Sequence, residues 1–270
     1  MSGSAIRRIR QCALFFLLAG LVRPASADEQ NPRRIIHVFV ALADNHYQGI
    51  IPVPATLGNG SDPARNLYWG AAFGVKSYFA HQKDWTLVSA GPGPKTAILE
   101  RCIFKRKDQE VYLIADAYEG REIGTAVTDF LSASAAIPGP PVSIRSKSGE
   151  QISLSTGGRA DIVAYVGHDA FMDSPLPPVN GTPRTKPRWA IVLACASKQY
   201  FGPYLRQTGA RPLLWTTGLM APEAYTLEAA LEGWILGEDP EAIRQRAARA
   251  YDAYQKCGMR GALRLFATGW

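Results

Sequence analysis

With 270 residues, 47% of them hydrophobic, the chain can bury a substantial core without metal or many disulfides. Its formal charge of +7 depends on Arg7, Arg8, Arg10 and Arg23, and falls to +3 if the leader described next is removed. So small and dispersed an excess excludes an argument for nucleic-acid binding.

Arg7, Arg8 and Arg10 precede an apolar stretch from about Cys12 to Val22, and Ala25-Ser26-Ala27 offers small residues for cleavage. This pattern predicts a secretory signal peptide over residues 1–27, too short for a comfortable membrane span. The expected product is a periplasmic or secreted bacterial chain beginning near Asp28. The Arg7-Arg8 pair also invites a twin-arginine reading, to which the flanking residues lend little. About 240 residues remain, which fit a single α/β domain over 28–270. No later segment is long and apolar enough to span a bilayer, so no stable membrane insertion is expected after cleavage.

Ile35 to Leu42 is apolar and rich in β-branched residues, which predicts a first strand. Ser61-Asp62-Pro63 then supplies a cap and a first-turn proline. Leu67, Ala71, Val75, Tyr78 and Phe79 follow at helical spacing, so a helix is expected to end near His81. Trp85 to Ser89 reads as a short strand, and Ile98 to Phe104 with Glu110 to Ala115 as a hairpin or further sheet strands. Lys105-Arg106-Lys107, between them, reads as a solvated turn. Ile123, Ala126, Val127, Phe130 and Leu131 mark an amphipathic helix. Pro138-Gly139-Pro140-Pro141 breaks the pattern, and the stretch to Gly158 is expected to be loop with at most one edge strand.

Two buried-looking runs follow. Asp161 to Gly167 leads into His168, and Arg188 to Ala194 leads into Cys195. Short apolar runs of this kind are expected as central strands of a parallel sheet. Pro212 to Thr216 is a further strand. Pro222 opens a helix with Leu227, Leu231, Trp234 and Ile235 on one face. Pro240 opens another through Ile243, Ala247, Ala250, Tyr251 and Tyr254, with Gly258 as its stop. The alternation predicts an α/β fold, a mostly parallel sheet flanked by helices on both faces.

Groups at the carboxyl ends of parallel strands gather in one crevice. Cys195 there is a candidate nucleophile and His168 its general base. The competing readings are a small core cysteine and a polar residue capping a strand. Once Cys12 leaves with the leader, Cys102, Cys195 and Cys257 remain. Either Cys102 pairs with Cys257 and leaves a free thiol at Cys195, or all three stay buried and unpaired. No phosphate-binding glycine loop, G-x-S-x-G elbow or H-E-x-x-H motif is present, and His37, His46, His81 and His168 lack metal-ligand spacing. No cofactor or metal is expected, and the sequence sets no oligomeric state.

A hydrophobic strand ending in His, then a second ending in Ala-Cys, resembles the caspase-like cysteine peptidases: caspases, legumains, gingipains and separases. Thr208-Gly209-Ala210-Arg211-Pro212-Leu213-Leu214-Trp215-Thr216, then Glu223-Ala224 and Gly237-Glu238-Asp239-Pro240-Glu241-Ala242, is similar to the tail of CHAT domains. Asp44-Asn45-His46-Tyr47 is similar to the S-N-x-Y segment of legumains. The resemblance covers most of residues 35–255 and implies a caspase-like three-layer sandwich. It also implies a cysteine endopeptidase with a peptide or protein substrate and no nucleic-acid partner.

By the same resemblance Asn45 orients His168, the backbone amides of Gly167 and Asp169 receive the oxyanion, and Trp215, Thr216 and Thr217 line the substrate cleft. Asp116, with Asp44 and Asp161 as further candidates, would select a basic side chain. The chain departs from the family in two places. Asp169 stands where glycine normally follows the His, and its carboxylate would oppose a developing oxyanion. Pro175, Pro177, Pro178, Pro183 and Pro187 exclude a good crossover helix between His168 and Cys195. A caspase-like module that binds without turnover is therefore the alternative expectation.

Overall fold

Strand β1 (Arg34–Ala41) carries the sequence RIIHVFVA and is buried from Ile35 onward, as a strand covered on both faces requires. The computed structural model describes residues 33–146, 148–179 and 188–270. The expected signal peptide over 1–27, Cys12, Pro183 and Pro187 lie outside them.

The remaining strands are β2 (Trp85–Gly91), β3 (Ile98–Arg106), β4 (Val111–Tyr118), β5 (Pro138–Arg145), β6 (Gln151–Gly157), β7 (Ile162–Val166), β8 (Trp189–Leu193), β9 (Arg211–Thr216) and β10 (Phe266–Ala267). The helices are α1 (Val75–His81), α2 (Ile123–Ser134), α3 (Ser197–Tyr200), α4 (Gly202–Thr208), α5 (Ala224–Ile235), α6 (Pro240–Gln255) and α7 (Met259–Leu265).

Eight strands form one sheet in the order β10-β9-β8-β7-β1-β4-β3-β2. Strands β9, β8, β7, β1 and β4 run parallel, while β3, β2 and β10 are antiparallel additions at the two sides. The fold is thus α/β with a mostly parallel mixed sheet. Period-two alternation sorts β1 into two apolar clusters. Ile36, Val38 and Val40 pack with Phe79, Leu231 and Tyr251, whereas Ile35, Phe39 and Ala41 pack with Phe130, Leu131 and Phe201. This is compatible with a three-layer arrangement.

Three expectations change. The helix expected from Pro63 begins only at Val75. Asn66 accounts for the difference: its Oδ1 accepts from the amides of Ala43 at 3.0 Å and Tyr68 at 3.2 Å, and its Nδ2 donates to the carbonyls of Ala43 and Asn59. These bonds, two of them to distant Ala43, hold residues 59–74 as successive turns despite the helical spacing of the apolar residues. A Cβ on Gly70 would fall 2.1 Å from the Ala64 carbonyl oxygen, so the turns also close too tightly for a side chain there.

Residues 138–157 form a separate antiparallel hairpin, β5 with β6, where loop with at most one edge strand was expected. A register shift between Gly139 and Val142 absorbs Pro140 and Pro141, which cannot donate to a ladder.

Arg106 is not part of a solvated turn. It ends β3 in a buried position, with its guanidinium on Glu232 and, at 2.9 Å, on Asp108. Elsewhere the caps behave as expected. Asp239 accepts from the Ala242 amide at 2.9 Å with Pro240 in the first turn of α6. Among the described residues, no helix is long and apolar enough to cross a membrane.

Candidate functional site

Val166 of β7 is in register with Leu193 of β8, so His168 and Cys195 stand equally far beyond the last paired positions of two neighbouring parallel strands. Both residues line one open cavity of about 400 Å³. Its walls are largely apolar, from Ile50, Ile51, Leu67, Leu219 and Pro222, and Glu223 is the one carboxylate among the described lining residues. Burial raises the Glu223 pKa above the usual carboxylate range, against hydrogen bonds from the Tyr225 hydroxyl and the Gln255 amide.

The chain leaves β8 through a turn that sequence reasoning did not anticipate. Ala196, directly after the thiol, adopts left-handed backbone at φ 46°, which disfavours a residue with a Cβ by about 1 kcal/mol or more. The surroundings hold it there. The Ala196 amide donates to the Gly218 carbonyl at 2.8 Å. Ser197 Oγ donates to the Val192 carbonyl at 2.9 Å and accepts from the Thr216 amide at 3.0 Å. Thr216 Oγ1 accepts from the Ser197 amide at 3.1 Å and donates to the Ala194 carbonyl. The result projects Cys195 from a sharp strand-to-helix turn, the geometry that exposes a nucleophile at the carboxyl end of a sheet.

Cys195 is half-buried, Cys102 buried and Cys257 exposed, and all three are free thiols. The disulfide alternative for Cys102 and Cys257 is thereby set aside, and so is the expectation that all three are buried. Cys195 Sγ accepts from the Met220 amide at 3.4 Å and donates to the Met220 carbonyl at 3.6 Å. Burial pushes this thiol up, the Met220 amide opposes the shift, and the nearby Asp169 carboxylate adds to it. Burial, with the Glu100 carboxylate beside it, pushes the Cys102 thiol up to about 12.

His168 is oriented by Asp173, a residue that sequence reasoning missed. Its Nε2 lies 2.9 Å from Asp173 Oδ2, which also accepts from the Gly49 amide at 3.1 Å. With the ring proton on Nε2 facing the carboxylate, Nδ1 is the basic nitrogen. The His168 carbonyl is fixed by the Tyr165 hydroxyl at 2.7 Å. The one signal in the sequence was a carboxylate five residues after the His.

Asn45, expected to orient His168, is engaged elsewhere. Its Nδ2 donates to the Val53 carbonyl at 2.8 Å and its Oδ1 accepts from the Val53 amide at 3.1 Å, pinning the loop after β1. The Gly167 amide, expected in an oxyanion hole, donates instead to the Leu193 carbonyl at 3.2 Å. Gly167 has φ 153°, and a Cβ there would lie 3.0 Å from the Ala41 carbonyl, so its glycine serves close strand packing.

Asp169 is fully buried. Its Oδ1 accepts from the Phe171 amide at 3.0 Å, while Oδ2 has no hydrogen-bond partner. Burial pushes its carboxyl up to about 7, the Phe171 amide opposes this, and the Asp173 charge adds to it.

The remaining candidates do not reach the cavity. Asp116 is buried under α2 in a separate cluster, with Arg101 Nε and Nη2 each at 2.6 Å and His37 Nε2 at 3.0 Å. Its carboxyl is held below the usual range because these bonds outweigh burial. It lines a different cavity, of about 320 Å³, so it cannot select a side chain beside Cys195. Trp215 is core, in edge contact with Trp270. Thr216 is a buried support of the turn, and Thr217 is exposed with its hydroxyl on the Arg264 carbonyl at 2.7 Å. Asp44 caps its own loop through the His46 and Tyr47 amides, and Asp161 accepts from the Ile35 amide at 2.7 Å.

Among the described residues, no cluster of three or more His, Cys, Asp or Glu side chains could hold a metal ion. Compared with known proteins, the chain matches no family model, no curated protein and no solved structure.

Proposed function

We propose that this chain is a caspase-like cysteine endopeptidase, a three-layer sandwich with helices on both faces of its sheet, acting in the periplasm or outside the cell after loss of its leader. The observation that carries the reading is the delivery of Cys195 and His168, from the ends of adjacent parallel strands, to one open cavity in which Asp173 holds the imidazole. His168 Nδ1 takes the thiol proton and Sγ attacks the scissile carbonyl carbon. The tetrahedral adduct collapses to a thioester as the amine leaves with that proton, and water then releases the acid and restores the thiol. With the Gly167 amide committed to Leu193, the amides of Asp169 and Cys195 are left to receive the oxyanion. The Met220 bonds hold the sulfur only through a weak acceptor and a weak S–H donor, and the thiol must give them up to turn toward the imidazole.

The apolar walls favour a peptide with a bulky uncharged side chain over the basic one that the resemblance implies. Iodoacetamide labelling in a Cys257→Ser background tests the dyad. Cys195 should react near neutral pH well ahead of buried Cys102, and His168→Ala should slow it. Peptide-library turnover that disappears in Cys195→Ala completes the test; equal labelling of both thiols sinks the reading.

A second reading, a binding module without turnover, is favoured by one observation. The thiol is shifted up where a nucleophile needs it down, and the buried carboxyl of Asp169 contributes to that shift. Retained peptide binding with no Cys195-dependent cleavage would select it.

A further inference from the structure

Strand β2 ends the eight-stranded sheet, and no strand pairs with its far side among the described residues. Natural edge strands are guarded by charge, proline, a bulge or a covering element, of which β2 has only an irregularity after Leu87. The sequence of β2, WTLVSAG, has neither charge nor proline, and Leu87 is 39% exposed on it. Its one irregularity is a register shift between Leu87 and Ser89.

Beside this edge lies a groove of about 660 Å³ between the sheet and the β5–β6 hairpin. Leu87, Val88, Tyr112, Ile144 and Ile152 give it an apolar lining. Its charged lining residues are Lys105, Arg106, Lys107 and Arg145, with no acidic residue among the described ones. Lys105 is neutralised by Glu110 at 2.5 Å and Arg106 by Glu232 and Asp108. Lys107 places its ammonium on the Lys83 carbonyl, and Arg145 is exposed at the end of β5, so neither charge meets a carboxylate. The hydroxyls of Ser146 and Ser148 meet each other at 2.7 Å at the same end.

We propose that this face binds an extended acidic segment of a partner protein, which adds a strand to β2 and sets its carboxylates against Lys107 and Arg145. Strand addition satisfies the open backbone of the edge, and alternate side chains enter the groove or face solvent. Apolar side chains cover Leu87 and Val88 while acidic ones meet the cationic rim. A second copy of this chain is a poor occupant, because edge-to-edge pairing would oppose two cationic rims. The inference is independent of any chemistry at Cys195.

The probe is a blocked peptide as long as β2 that alternates valine with glutamate, measured by fluorescence anisotropy and by amide exchange of the protein. Saturable binding that weakens with salt is expected, with slower exchange confined to residues 85–91 and the facing hairpin. Lys107→Glu with Arg145→Glu should weaken it roughly tenfold or more, while amide exchange of β1 and β7 reports that the variant is folded. Several results overturn the proposal: no binding up to about 1 mM, equal binding of a valine–glutamine peptide, or binding without protection of 85–91. Preferential binding of a short oligonucleotide, or a free chain already dimeric with 85–91 protected, overturns it as well.

Discussion

Asp169→Asn isolates the buried carboxyl next to the imidazole. In the folded chain this group keeps its proton until about pH 7, whereas an unfolded aspartate releases it near 3.9. Between those values the folded state binds the extra proton, so stability from this group is complete below about pH 4 and is lost as pH rises through 7. The slope is about 1.36 kcal/mol per pH unit. From pH 4.5 to 8 the wild-type chain should therefore lose about 3 kcal/mol relative to the asparagine variant. Asparagine keeps an oxygen for the Phe171 amide bond and never ionises. The difference between the two urea-unfolding curves, taken at each pH, cancels the titration of groups out of reach of the Asp169 charge and leaves that of Asp169 with its coupling to the Cys195 thiol. A difference flat to within about 0.5 kcal/mol would refute the reasoning, for it would mean that water reaches Oδ2 and leaves the carboxyl with an ordinary pKa.

Four further outcomes follow from the turns after β7 and β8 and their partners. Ala196→Gly relieves left-handed backbone and should raise stability by up to about 1 kcal/mol, seen as a Tm higher by about 2–4 °C. Thr216→Val preserves shape but strands the Ser197 amide in the core and takes the hydroxyl donor from the Ala194 carbonyl, so it should cost about 1–3 kcal/mol in urea; a neutral result would mean that the Ser197 amide finds another partner. Asp173→Asn should slow Cys195 alkylation and shift its pH profile, because the ring loses the carboxylate that fixes its tautomer; an unchanged profile would detach Asp173 from the site. Asp169→Asn should move the Cys195 profile to lower pH by removing a neighbouring negative charge, with the gain growing above pH 7.

The strands were legible because a buried parallel strand reads as an unbroken apolar run. Ile35 to Leu42, Asp161 to Gly167 and Arg188 to Ala194 lie within one residue or so of β1, β7 and β8 with their flanking residues. That rule also brings His168 and Cys195 to one end of the sheet, since parallel neighbours in register must deliver their following residues together. The segment before α1 was not legible. Its spacing is helical, but Asn66 makes four hydrogen bonds to backbone outside any helical ladder, two of them to distant Ala43, and such bonds leave no periodic trace. The β5–β6 hairpin was hidden by prolines that a register shift accommodates.

The same distinction separates the parts of the site. The reactive groups follow from strand ends, which are local, whereas their supports follow from which side chains meet across the fold. Asn45 and Asp116 have the right chemistry and the wrong neighbours, and Asp173 gains its role because a short 3₁₀ turn over Ala170–Met172 folds it back onto the imidazole. Asp169 starts that turn by accepting the Phe171 amide, so one residue both brings Asp173 to His168 and places a buried carboxyl near the thiol. A glycine at 169 would remove the charge that opposes the thiolate and also the cap that positions its partner. Any gain in thiol reactivity from deleting that charge must therefore be compared with the loss of His168 alignment, and asparagine, which keeps the cap, separates the two.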